Sequence, residues 1–243
     1  VVSVTLDQDR DEPQLVFESM NSTGLDLETS DLVRNYMLMG CSMAEQKTLY
    51  EDYWLPMERV LGNLSFDAFL HDWMVVTLKK PVLKGRVMYA EFKRFAADSS
   101  LLRMERTRNL LANMLEYAKY YAAIKGVAAA GSGDMNVDRR LESIQKLVST
   151  VTDPLVMDMF AAWKRDRVSC DGLLRMLADL ESYLFRRMIC SVSSNGLNKL
   201  VPSLIAKLES AEHDLVETFA ALLLTETAKA TRMPTDEQFR QAL

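Results

Sequence analysis

A chain of 243 residues, 49% hydrophobic and 26% charged, is long enough for one large core or two small ones and has the composition of a globular protein, not a disordered one. Nine glycines and six prolines leave few turn positions, which weighs against a strand-rich fold. A net charge of −5 argues against indiscriminate nucleic-acid binding, and no apolar run approaches membrane-spanning length.

The chain opens on Val1-Val2-Ser3-Val4-Thr5-Leu6, a strand-like run without an initiator methionine. Such a run cannot form a sheet alone, so it pairs with an upstream domain or lies as a loose tail. Apolar periodicity then predicts helix nearly throughout. A short helix over 13–20 stops at Asn21 to Gly24. The next, 28–40, carries Leu32, Val33, Tyr36, Met37 and Leu38 on one stripe and ends at Gly40. A third, 44–61, holds Leu49, Tyr53, Trp54, Met57, Val60 and Leu61, with Pro56 marking a kink or break. Further helices are predicted over 66–79, 86–97, 101–125, 137–150, 154–166, 171–190, 197–209 and 212–230. Ala-Ala-Ala-Gly-Ser-Gly-Asp-Met-Asn, 128–136, reads as the clearest loop. The closing Pro-Thr-Asp-Glu-Gln-Phe-Arg-Gln-Ala-Leu starts an amphipathic helix, with Thr235 and Gln238 at capping-box spacing. The fold class is therefore all-α: an irregular bundle of about ten helices with one short N-terminal β-like run. Both ends read as cut from a longer protein.

Fifteen methionines suit irregular core gaps. Cys41, Cys170 and Cys190 are odd in number and without Cys-x-x-Cys spacing, so they read as buried thiols of a reducing compartment, the cytoplasm. His71 and His213 stand apart from one another and from any cysteine, which gives no metal site. No motif supports a Ser-His-Asp triad.

Charge is unevenly spread. Residues 1–60 hold twelve acids against four bases, whereas 79–108 hold nine bases against three acids. Lys79, Lys80, Lys84, Arg86, Lys93 and Arg94 are the candidates for contact with nucleic-acid phosphates; the plainer reading is a solvated helix face.

The stretch Phe17 to Asn35 is the most distinctive. Gly24 can take the left-handed conformation that ends a helix, while Asn21 and Ser22 can hydrogen-bond nearby backbone. The next helix presents Asp31, Arg34 and Asn35, with Asp31 in the first turn and Arg34 on the same face. Two readings stay open. In one, Glu18, Asp31 and Arg34 form a polar network fixing the angle between two short helices. In the other, backbone N–H groups of Ser22, Thr23 and Gly24 join the Arg34 guanidinium to line an anion pocket.

"VFESMNSTGLDLETSDLVRNYMLM" resembles the "IFE-x-x-NSTG-x-x-L-x-x-x-DL-x-RN" block of the GmrSD-type family of modification-dependent (type IV) bacterial restriction endonucleases. "LYEDYWLPME" (49–58) resembles the helix that follows it there. "LESYLFRRMICSVSSNGLNKL" (180–200) is similar to a second family block, and "RMPTDEQFRQAL" to the segment entering a C-terminal domain. The match falls on Phe17, Glu18, Asn21, Ser22, Thr23, Gly24, Leu27, Asp31, Leu32, Arg34 and Asn35. Glu28 departs from it, standing where the family carries a capping Ser or Thr, so Thr29 or Ser30 is expected to cap the second helix. Arg186 and Arg187 match the second block; one is expected to form a buried ion pair, with Glu181 or an acid on a neighbouring helix, and the other to reach outward.

The resemblance implies a three-part protein: a ParB-related nucleotide-hydrolysing and DNA-sensing domain, a helical centre, and an HNH nuclease. Neither the Asp-Gly-Gln-Gln-Arg motif of the first nor an HNH constellation occurs here. The implied division is 1–40 as the end of the first domain, 41–230 as the central helical domain, and 231–243 as the start of the connection to the nuclease. The implied role is non-catalytic coupling within an anti-phage DNA endonuclease. A nucleoside triphosphate and a divalent metal would belong to the intact protein and none to this chain. DNA and the flanking domains are its partners, with no membrane; a homo-oligomer is compatible. The alternative is a helical protein–protein interaction module whose polar motif is purely architectural.

Overall fold

In a computed structural model the described residues are 27–97, 103–127, 131–147, 150–212 and 214–243. The N-terminal β-like run, the helix expected over 13–20, the Asn21 to Gly24 break and His213 lie outside them. Every regular element among the described residues is helical, so the fold is all-α. In chain order the helices are α1 (Thr29–Leu38), α2 (Met43–Leu49), α3 (Leu55–Leu61), α4 (Phe66–Leu78), α5 (Arg86–Ala97) and α6 (Arg103–Ile124). They continue as α7 (Met135–Gln145), α8 (Asp153–Lys164), α9 (Cys170–Ile189), α10 (Leu197–Glu209), α11 (Leu215–Thr225) and α12 (Asp236–Ala242). No helix among the described residues is long and apolar enough to cross a membrane.

Two compact units emerge, residues 1–58 with 83–115 and residues 59–82 with 116–243. In the first, α1 packs on α5. Val33 and Met37, four apart on α1, are buried, as are Met88, Phe92 and Ala96 on α5 at the same spacing. Tyr36 meets Phe92 edge-on at 6.0 Å. The helical backbone runs on through Pro56. A π-helical turn, Tyr50–Trp54, joins α2 to α3 immediately before it, and the Leu55 N–H reaches back to the Tyr50 carbonyl. Proline has no N–H for the carbonyl four residues back, and a wider turn absorbs that defect.

The second unit is built on α8 and α9. α4 and α10 pack against α8, while α7, α11 and α12 pack against α9. α4 buries Phe69, Leu70, Trp73 and Met74, and α9 buries Leu173, Met176, Leu177, Leu180 and Tyr183. Truncating one such aromatic to alanine costs about 3–5 kcal/mol, which makes this core the main source of the unit's stability. Side-chain caps fix several starts: Ser65 for α4, Asp134 for α7, Ser169 for α9, and a full Thr235–Gln238 capping box for α12.

Several boundaries differ from the periodicity. α7 ends at Gln145 and not at 150, because a 3₁₀ turn, Thr150–Thr152, precedes buried Asp153. α11 starts at Leu215, capped by Asp214, and stops at Thr225, where Glu226 turns to extended backbone. Glu28 occupies the N-cap position of α1 without a side-chain cap, while Thr29 and Ser30 are buried inside the first turn, so neither replaces it as expected. The described part of the 128–136 loop is pinned: Ser132 N–H donates to Asp138, and Lys164 donates to the Ser132 carbonyl at 2.8 Å.

Candidate functional site

Helix α1 brings Asp31 and Arg34 together, three residues apart, and Arg34 Nη2 donates to Asp31 Oδ1 at 2.8 Å. Its Nη1 lies 3.5 Å from Glu58 Oε1 on α3. Glu58 also accepts from the Trp54 indole at 2.9 Å and the Tyr50 hydroxyl at 3.2 Å. The guanidinium lies 6.0 Å from the Trp54 ring centre, so cation–π attraction adds to the two carboxylate contacts. The π turn sets Tyr50 and Trp54 where both can serve the carboxylate that follows Pro56. Asp31, Arg34 and Glu58 are each about one-third exposed, so the pair energies are modest. The cluster's weight lies in the Trp54 indole, whose side chain is almost wholly buried.

Arg34 therefore has a carboxylate on each terminal nitrogen. Of the candidate pocket residues, Asp31 is tied to Arg34, and the Asn35 carbonyl accepts from the Met39 N–H at 2.8 Å to close α1. Glu18, Asn21, Ser22, Thr23 and Gly24 lie outside the described residues. Glu58, which sequence reasoning passed over, is the hub. A signal existed, since it follows the aromatic stretch Tyr50-Glu51-Asp52-Tyr53-Trp54 at helical spacing, four residues after Trp54.

The six phosphate candidates do not fall in one unit. Lys79 and Lys80 belong with α4, whereas Lys84, Arg86, Lys93 and Arg94 belong with α5. Lys79 pairs with Glu209, Arg94 with Glu91 at 2.7 Å, and the Lys93 ammonium lies 4.8 Å from the Tyr89 ring centre.

The arginine pair divides differently from expectation. Buried Arg187 has no carboxylate partner among the described residues: its Nη2 donates to the carbonyls of Ser193 at 2.7 Å and Ala230 at 2.9 Å. The outward Arg186 makes the ion pair, with Asp236 at 2.7 Å, and also reaches the Pro234 carbonyl. That guanidinium holds the Asp236 carboxyl below the usual range. Glu181 is taken by Arg140 instead. With Tyr183 donating to the Thr231 carbonyl, the last turns of α9 hold the 226–235 segment in place.

A buried ionic cluster was also missed. Asp153 pairs with Lys125, and Gln145 donates to it at 3.4 Å. Burial pushes the Asp153 carboxyl up to about 6 against the pull of Lys125. His71 Nδ1 meets Asp72 at 2.9 Å, and its Nε2 meets the Val82 carbonyl at 3.1 Å. Asp72 interrupts an apolar run of α4, which was the available signal. A cavity of about 570 Å³ beside Lys125 is lined by both signs of charge, Lys125 and Arg139 with Asp138 and Glu142. The three cysteines are free and half-buried, less enclosed than expected. Among the described residues, no group of three His, Cys, Asp or Glu side chains could hold a metal ion.

Compared with models of protein families, with curated proteins and with solved structures, the chain has no match.

Proposed function

We propose that this chain is the helical central region of a GmrSD-like restriction protein, non-catalytic by itself, coupling a nucleotide- and DNA-sensing domain to an HNH nuclease in cytoplasmic anti-phage defence. What supports the reading is that residues from two of the resembling stretches hold each other. Asp31 and Arg34 of the first block meet Glu58, Trp54 and Tyr50 of the aromatic helix that follows. A polar lock between two adjoining helices is the kind of element that passes a change in one segment to the next. The nucleoside triphosphate and divalent metal belong, on this reading, to the flanking domains; DNA is engaged through the intact protein.

One observation favours a plainer interaction module: both terminal nitrogens of Arg34 are occupied by carboxylates, which suits an architectural motif. Sequencing the gene on both sides of this chain separates the two. The restriction reading expects Asp-Gly-Gln-Gln-Arg upstream and a His-Asn-His constellation downstream. It also expects nucleotide-dependent cleavage of modified DNA by the intact product but not by residues 1–243. Absence of both motifs would overturn it and leave the interaction module.

A further inference from the structure

The end of α9, the 229–234 segment and α12 border an open pocket of about 480 Å³, whose wall includes Cys190, Val192, Lys229, Arg232, Gln238 and Gln241. Among the described residues its charged wall residues are both cations and no carboxylate lines it. Neither Lys229 nor Arg232 has an ion-pair partner among the described residues. The nearby acids are committed elsewhere. Asp236 holds Arg186, and Glu226 accepts from the Ala228 N–H at 3.0 Å and the Thr231 hydroxyl at 2.9 Å. Glu237, outside the lining, accepts from the wall residue Gln241 at 3.4 Å.

A third positive charge supports this wall. Arg187, 3% exposed, donates to the carbonyls of Ser193 and Ala230, the chain neighbours of wall residues Val192 and Lys229. Among the described residues its Nη1 has no hydrogen-bond partner and no carboxylate pairs with it. A buried cation without a counter-charge keeps a positive potential that water screens poorly, and two further unpaired cations line the adjoining cavity. Gln238 adds a neutral donor: its carbonyl oxygen accepts from the Thr235 N–H at 3.1 Å, leaving the amide NH₂ free to donate.

We infer that this cavity binds a phosphate group. A guanidinium fork, an ammonium and an amide are the donors that a tetrahedral oxyanion takes. The volume exceeds a bare phosphate, and Val192, Pro234 and Ala242 give it an apolar portion. The ligand is therefore a phosphate carried on a larger body, a nucleotide or a nucleic-acid strand. The inference does not rest on the restriction reading, because it uses only the charges of this cavity.

The test is titration calorimetry of the 243-residue chain with ATP and, separately, with a single-stranded oligodeoxynucleotide, at low and high salt. The chain should bind at least one, more weakly as salt rises. The double reversal Lys229→Glu with Arg232→Glu should lower that affinity at least about tenfold. The milder Lys229→Gln with Arg232→Gln should lower it in the same direction, with the melting temperature unchanged in both. ATP binding without oligonucleotide binding assigns a free nucleotide; the converse assigns a strand. Failure of both probes at millimolar concentration, or binding unchanged in both folded double variants, overturns the inference.

Discussion

Glu58 accepts three donors from two directions: Arg34 across from α1, and Trp54 and Tyr50 from the preceding turn. Glu58→Ala should lower stability by about 2 kcal/mol, chiefly because the buried Trp54 N–H loses its acceptor, whereas Glu58→Gln, which keeps a carbonyl there, should cost less than about 1 kcal/mol. Urea denaturation followed by tryptophan fluorescence measures both; equal losses would show that charge and not the acceptor matters. Asp158 makes a second residue-scale prediction. Burial, with Glu209 nearby, raises its carboxyl from 3.8 to about 6 despite Arg167, Arg165 and Lys79. The folded chain therefore binds this proton more tightly than the unfolded chain. Its contribution is fully present below 3.8 and is lost as pH rises through about 6. Asp158→Asn should match the wild type at low pH and exceed it by on the order of 1 kcal/mol at neutral pH. A difference that shrinks with rising pH would contradict this.

At the scale of elements, helices with a continuous apolar stripe were legible. α4, α9 and α10 appear close to their predicted bounds because burial of that stripe both forms and limits them. The capping boxes of α2 and α12 lie in local sequence and were equally readable in principle, though only Thr235–Gln238 was read. The end of α11 was not legible: Glu226 turns to extended backbone, and the segment beyond it is held from another helix, where Tyr183 and Arg187 donate to the carbonyls of Thr231 and Ala230. Gly196 belongs to the same contact. Its φ of −64° suits any residue, but an added Cβ would lie 2.7 Å from the Ala230 carbonyl oxygen. Gly196→Ala should therefore destabilise by about 1–3 kcal/mol through overpacking alone. Thermal melting decides it: an unchanged midpoint would mean that the 226–232 segment yields.

For the molecule as a whole, charge sets the terms of any encounter with DNA. A chain of net charge −5 is repelled at a distance, so affinity would have to come from a local group of cations. If Lys79, Lys80 and Lys84 touch phosphates, the slope of log affinity against log salt should approach about −3, and reversing all three charges should abolish binding. Salt-insensitive binding would exclude them. The candidate site was only partly legible at this scale. The Asp31–Arg34 pair follows from helical spacing, but its completion by Glu58 depends on how two helices meet. The unpaired state of Lys229 and Arg232 depends on where every nearby acid is spent, which no local pattern records.

The π turn before Pro56 amounts to one residue more than a regular helix would place there. Each residue advances an α-helix by about 100°, so everything after Trp54 is rotated by that angle relative to an uninterrupted helix. Were the same residues wound as regular α-helix throughout, Glu58 would be turned away from Arg34. Reading frame along the helix therefore decides which partner α1 finds; a single-residue deletion between Tyr50 and Trp54 would return the turn to regular α-helix and keep Glu58 on the side that faces Arg34.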